Sequence, residues 1–145
     1  MSKFDKTVNR YLLEAVQPDG PITDAYGTKR WRKDGKLHRE DGPAVEWDNG
    51  SEEWYINDIR HRLDGPAVTY MNQPNATKYW FVDGKKHRVD GPAVVWANGD
   101  KEWYINDIEL TPAEIEEQKK KIAIAKEIQG HKNNRIDPGM LEDYL

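Results

Sequence analysis

The stretch His61-Arg62-Leu63-Asp64-Gly65-Pro66-Ala67-Val68 is one of three near-identical copies in the chain. The other two span residues 38–45 and 87–94, and the three histidines are 23 and 26 residues apart. A tryptophan stands seven residues before each histidine: Trp31, Trp54 and Trp80. Repeats of this length are typical of architectures in which each unit stacks on its neighbours, because a single unit cannot bury its own apolar face.

The units alternate between two kinds of hairpin. Residues 53–59 recur almost unchanged as residues 102–108, and residues 31–36 are echoed by residues 80–85. One kind turns on Asp-Gly and the other on Asn-Asp, pairs that suit two-residue hairpin turns. The Asp-Gly-Pro that follows predicts a corner, since proline has no amide hydrogen for a strand ladder. The pattern therefore predicts a mainly β fold, an antiparallel meander of β-hairpin repeats over residues 29–110.

Two irregularities interrupt this array of about four half-units. The second unit carries three extra residues in the segment 72–77, predicted to be a polar, turn-rich loop that either reaches a partner or is a tolerated insertion. The fourth unit opens at Trp103 but runs into Glu109-Leu110-Thr111-Pro112 where His-Arg is due. We therefore expect the array to end there.

Helices are predicted on both sides of the array. Apolar residues within 3–17 recur at helical spacing, so we expect an N-terminal capping helix and linker over residues 1–28. Thr111-Pro112-Ala113-Glu114 combines a threonine N-cap, a first-turn proline and a glutamate placed to complete a capping box. It predicts a C-terminal helix over residues 111–130, either folded back as a second cap or paired with its copy in a homodimer, and then a tail over residues 131–145.

Composition narrows the class of protein. Only 37% of the 145 residues are hydrophobic, while six are tryptophan, so we expect a thin core rich in aromatic side chains. The net charge of −4 is spread along the chain without a basic block, which argues against duplex nucleic acid and anionic membranes as partners. The absence of cysteine and of a long apolar run leads us to expect a soluble, cytoplasmic protein.

The repeats resemble the MORN-like family of β-hairpin repeats. The resemblance rests on the phrase Trp…Asp-Gly-Lys…His-Arg-x-Asp-Gly-Pro-Ala over residues 29–108, and is closer to a divergent branch found in tailed bacteriophages and large DNA viruses. MORN-like proteins are mostly scaffolds and partner-binding modules, and some relatives act as antitoxins. The resemblance therefore implies a phage-type binding protein with a host-modulating or anti-defence role. Much of the usual Tyr-Gly phrase is replaced here, so lipid binding is not carried over.

The repeated side chains allow a structural and a functional interpretation. Each arginine can bridge to the aspartate two residues later, or the His-Arg pairs can form a row of cationic donors for phosphate. The rings that follow each Ala-Val can be core, or a platform on which bases or peptide rings stack. Histidines strung along a ladder at about 4.7 Å per strand are poorly placed for a shared metal. The candidate ligand-binding residues are His38, Arg39, His61, Arg62, His87, Arg88, Trp47, Tyr70 and Trp96.

The sequence favours binding over catalysis. It contains no cysteine nucleophile, Gly-x-Ser-x-Gly, phosphate-binding glycine loop or His-Glu-x-x-His. Three equivalent histidines also differ from the single asymmetric constellation that an active site needs. We therefore expect a non-enzymatic protein, without cofactor or metal, that engages a protein partner through its repeat surface. The alternative is the sequestering of a phosphate-bearing small molecule such as a signalling nucleotide, and a His-dependent phosphodiesterase is the third reading.

Overall fold

The computed structural model describes residues 20–72 and 74–133. Most of the described strands belong to one long sheet: β1 Gly20–Thr23, β2 Lys29–Lys33, β3 Lys36–Leu37, β4 Val45–Glu46, β5 Glu52–Glu53, β8 Val68–Asn72, β9 Asn75–Tyr79, β12 Val94–Val95 and β13 Lys101–Glu102. The others form two-stranded hairpins: β6 Tyr55–Ile56 with β7 Ile59–Arg60, β10 Phe81–Val82 with β11 Lys85–Lys86, and β14 Tyr104–Ile105 with β15 Ile108–Glu109. A helix, α1, spans Pro112–Asn133.

The long sheet is antiparallel throughout, in the order β1-β2-β4-β5-β8-β9-β12-β13, with β3 paired to β2. Strands of the sheet alternate along the chain with the small hairpins. Because the described strands pair in antiparallel fashion and one helix follows them, the prediction of a mainly β, antiparallel fold is confirmed. The expected N-terminal helix lies outside the described residues. Within the part of the chain that the structure describes, no helix is long and apolar enough to cross a membrane.

The three small hairpins and the β2–β3 hairpin turn through residue pairs with left-handed backbone. Both central residues have positive φ in every case: 52° and 74° at Asp34-Gly35, 49° and 64° at Asn57-Asp58, 50° and 77° at Asp83-Gly84, 49° and 66° at Asn106-Asp107. A type I′ turn requires positive φ at both positions, and Asn, Asp and Gly adopt it at least cost. The predicted Asp-Gly and Asn-Asp turns are therefore confirmed.

The boundaries of the array differ from those predicted. Residues 20–23, assigned to the linker, form β1 at one edge of the sheet. The segment 72–77, read as a loop, lies mostly in strands, because Asn72 pairs with Asn75 and the extra residues lengthen the β8–β9 hairpin. The C-terminal helix passes through Gly130 and ends at Asn133 rather than at residue 130.

The capping box at the start of α1 is present as predicted. The Thr111 backbone N–H donates to Glu114 Oε2 at 2.7 Å, and the Glu114 N–H donates back to Thr111 Oγ1 at 3.4 Å. The hydrogen bonds from Thr111 hold the pKa of Glu114 below its ordinary value. None of the helix residues is buried; α1 touches the third repeat where Gln118 Nε2 donates to the Val89 carbonyl.

The core is thin and consists of the repeated Ala-Val pairs. Its members have at most 4% of their surface exposed: Ala44, Val45, Ala67, Val68, Ala93 and Val94. Trp103 of the fourth unit, 9% exposed, joins them. Strand register places one line of side chains across the same face of the sheet: Arg30, Val45, Glu53, Val68, Tyr79, Val94 and Glu102. We call this the valine face.

Candidate binding surface

Each repeated arginine is held by three kinds of contact. Arg62 Nε donates to Asp64 Oδ1 at 2.8 Å, and its Nη1 donates to the Pro66 carbonyl at 3.2 Å. Its guanidinium carbon lies 4.0 Å from the centre of the Trp54 ring. Residues 39–43 and 88–92 repeat both hydrogen bonds and the stacking on tryptophan. We call this arrangement the arginine bracket, and it contains the arginine–aspartate ion pairs of the structural interpretation.

The glycine of each Asp-Gly-Pro closes the other side of the bracket. A Cβ on Gly65 would lie 2.8 Å from the guanidinium carbon of Arg62, and one on Gly42 only 2.5 Å from that of Arg39. The guanidinium thus lies between an indole ring and a glycine backbone, and a Cβ at that glycine would require the guanidinium to move. About a quarter of the Arg62 side chain remains exposed, at 23%.

The histidines connect successive hairpins. His61 Nδ1 accepts a hydrogen bond of 3.0 Å from the Asp83 N–H, at the first turn position of the next hairpin. His38 and His87 accept equivalent bonds from the turns that follow them, at 3.2 and 3.1 Å. Each Nδ1 is therefore engaged in stacking one repeat on the next, which gives the His-Arg dipeptide a structural role in both of its residues.

The predicted ring residues lie on the other face of the sheet from the arginines. Side chains alternate between faces along a strand, so the ring that follows each Ala-Val shares the valine face. Arg39, in contrast, reaches Glu46 at 3.2 Å, and Glu46 is the neighbour of Val45 that points to the opposite face. The structure therefore separates the candidate residues into two groups. It does not bring His-Arg pairs and rings together around one ligand.

The rings on the valine face form a continuous line that we call the aromatic row. Tyr70 lies between Trp47 and Tyr79, with ring centres 6.2 and 6.1 Å away, and Tyr79 lies 5.7 Å from Trp96. All three contacts are edge-to-face, the geometry that aromatic pairs favour. The rings are half-buried along most of the row, and Trp96 is 37% exposed at its end.

Polar groups beneath the row fix the orientation of its rings. Glu53, only 5% exposed, accepts hydrogen bonds from Tyr70 at 2.9 Å and from Tyr55, and pairs with Arg60 at 3.0 Å. Burial, then the bond to Glu53, raises the pKa of Tyr55 to about 12. At the other end, Trp96 Nε1 donates to Glu102 at 2.8 Å. The rings are therefore held in place before any partner arrives.

Sequence reasoning missed three residues of this surface. Tyr79 completes the row but lies in the extended β9, which was read as following a loop. The other two are Glu53, which is buried, and Arg60, which is half-buried and pairs with it. The sequence held one indication of Glu53: the tripeptide Glu-Trp-Tyr occurs at residues 53–55 and again at 102–104. This repeat places a carboxylate two residues before a tyrosine in both units.

We also searched for a metal site and for similar proteins. Among residues 20–72 and 74–133, no three His, Asp or Glu side chains converge as a metal site would require. Comparison of the chain with protein-family models, curated proteins and solved structures gives no significant match. We therefore infer function from the geometry of the two faces of the sheet.

Proposed function

We propose that the protein is a non-enzymatic binding module that engages a protein partner through the aromatic row. The observation that carries the proposal is the line of preoriented, half-exposed rings at Trp47, Tyr70, Tyr79 and Trp96. Tryptophan and tyrosine are enriched among the residues that dominate protein–protein affinity. Their fixed rings also lose little conformational entropy on binding.

The dimensions of the row suit a macromolecular partner. It runs from β4 to β12 across β5, β8 and β9, a distance of about 19 Å at the usual spacing of neighbouring strands. It is a line of rings on a sheet, whereas small-molecule sites are concave and enclose most of their ligand. The resemblance of the repeats to MORN-like proteins, which are mostly partner-binding modules, agrees with this interpretation.

Charge favours a protein over a phosphate-bearing ligand. The row lies above Glu53 and beside Glu102, and Arg60 is paired with Glu53. The arginines once considered for phosphate are enclosed in brackets on the other face. A phosphate group at the row would meet the carboxylates of Glu53 and Glu102, so we propose a neutral or basic patch on a partner protein.

The experiment is affinity capture with immobilised protein, comparing the parent with Trp47→Ala and Trp96→Ala, one at each end of the row. Tyr26→Ala is the matched control, because Tyr26 is 87% exposed and lies outside the row. Losing a dominant interface residue costs about 2 kcal/mol or more, a roughly 30-fold loss of affinity. We expect both tryptophan variants to lose a partner that Tyr26→Ala retains. Stabilisation of the parent by a nucleotide, abolished by Arg62→Lys, would instead favour the phosphate reading.

A further inference from the structure

The two edges of the long sheet differ in what they offer to a further strand. At the β1 edge, the Trp31 N–H points away from β1, donating to the Ala44 carbonyl at 2.8 Å. Backbone groups alternate in direction along an antiparallel strand, so Pro21, opposite Trp31, faces outward. Proline has no N–H, and an outward proline is one way in which proteins block a sheet edge.

The β13 edge, Lys101–Glu102, contains no proline. The Trp96 N–H donates to the Asp100 carbonyl at 2.8 Å, so by the same alternation Glu102, opposite Val94, bonds inward to β12. The backbone N–H groups of Lys101 and Trp103 then face outward. Within the described residues no strand pairs with this side of β13.

The preceding repeat shows what occupies the equivalent edge. β5 corresponds to β13, 49 residues earlier, and its outer side is filled by the start of β8. There the Trp54 N–H donates to the Ala67 carbonyl at 2.7 Å, and Glu53 lies opposite Val68. Among the described residues, the fourth unit supplies no such strand, because its chain enters α1 at Pro112.

We propose that the outer edge of β13 receives an extended segment of a partner protein, carrying a small residue followed by a β-branched one. This choice copies the occupant of the β5 edge, where Ala67 and Val68 are 0% and 1% exposed. Added strands gain affinity from backbone hydrogen bonds and specificity from alternate side chains. The inference goes beyond the aromatic row and depends on different residues.

A second copy of the chain is a poor occupant. Twofold pairing of two β13 strands centred on Glu102 would set carboxylate against carboxylate, and pairing centred on Lys101 would set two lysines together. Like charges directly opposite each other destabilise a strand pair. Pairing with β1 of another copy would meet the outward Pro21.

The test uses a fluorescent synthetic peptide with the sequence of residues 64–71, titrated into the full-length protein and followed by anisotropy. We expect saturable binding to the parent and to Lys101→Ala, which keeps the backbone N–H. Lys101→Pro removes that outward N–H and keeps the hydrogen bonds between Glu102 and β12. We expect it to weaken peptide binding at least 10-fold. A scrambled peptide is the control. The proposal is overturned by the absence of saturable binding to the parent, or by equal binding to Lys101→Pro.

Hydrogen exchange of the parent gives a second test that needs no variant. The Lys101 and Trp103 amides should exchange faster than the inward Glu102 amide in the free protein, and should slow on peptide addition. Peptide binding that leaves the exchange of both outward amides unchanged would place the peptide elsewhere and overturn the proposal. Trp47→Ala removes a ring of the aromatic row and leaves the β13 edge unchanged. The two proposed binding sites can therefore be tested independently of each other.

Discussion

Replacing Arg62 by alanine tests whether the repeated His-Arg motif is structural. The substitution removes the stacking on Trp54 and the hydrogen bond to the Pro66 carbonyl. A partly exposed cation–π contact is worth about 1 kcal/mol. A hydrogen bond from a charged donor is worth about 1.5 to 3 kcal/mol. The pair with Asp64, which is 81% exposed, adds little. We expect a loss of unfolding free energy of about 3 kcal/mol.

Thermal unfolding followed by circular dichroism measures the effect. For a folded unit of this size, about 3 kcal/mol lowers the midpoint by on the order of 10 °C. Asp64→Ala is the matched control, because it removes only the exposed ion pair and should leave the midpoint nearly unchanged. Arg62→Lys keeps the charge without the planar fork and should fall between the two. A parent-like midpoint for Arg62→Ala would refute the bracket as a structural element.

Three further predictions test separate parts of the account. Gly42→Ala should lower the free energy of unfolding, because the new Cβ would lie 2.5 Å from the Arg39 guanidinium carbon. Gly130→Ala, with open space around it in α1, should raise the free energy of unfolding by up to about 1 kcal/mol. Chemical denaturation compares the two variants, and a change in the same direction for both would contradict the geometry. Tyr55, with its pKa raised to about 12, should ionise late in an absorbance titration, and Tyr55→Phe should remove that late step. Since the folded-state pKa exceeds the unfolded value of about 10, this contribution to stability is complete below pH 10 and is lost as the pH rises through 12. Pro21→Val should unblock the β1 edge and produce concentration-dependent association through β13, seen by light scattering; a variant that stays as monodisperse as the parent would argue against proline as the block.

The local features of the fold were predictable from the sequence. The left-handed turn pairs, the capping box at Thr111 and the arginine–aspartate pairs depend on residues close together in the chain. Cross-strand neighbours were harder to predict from the sequence, because they depend on the register of strand pairing. β1 opens with Gly-Pro, which usually marks a turn, and only its pairing with β2 makes it a strand.

In the candidate binding surface, too, repeated positions were predictable from the sequence and cross-strand neighbours were not. Sequence alternation identified Trp47, Tyr70 and Trp96 as equivalent positions, but not Tyr79, which lies opposite the core valines at the position that Glu53 and Glu102 occupy in other units. It also could not assign the arginines and the rings to opposite faces. That assignment depends on which residue of each strand points inward, and a shift of one residue reverses it.

The central claim, that the aromatic row binds a protein, is tested most directly by quantitative affinity capture with the parent, Trp96→Ala and Tyr26→Ala. We predict a partner that the parent and Tyr26→Ala retain equally and that Trp96→Ala loses, although Trp96→Ala still unfolds cooperatively. Equal retention by a folded Trp96→Ala would contradict the claim and move the search for the binding surface to other faces of the repeats.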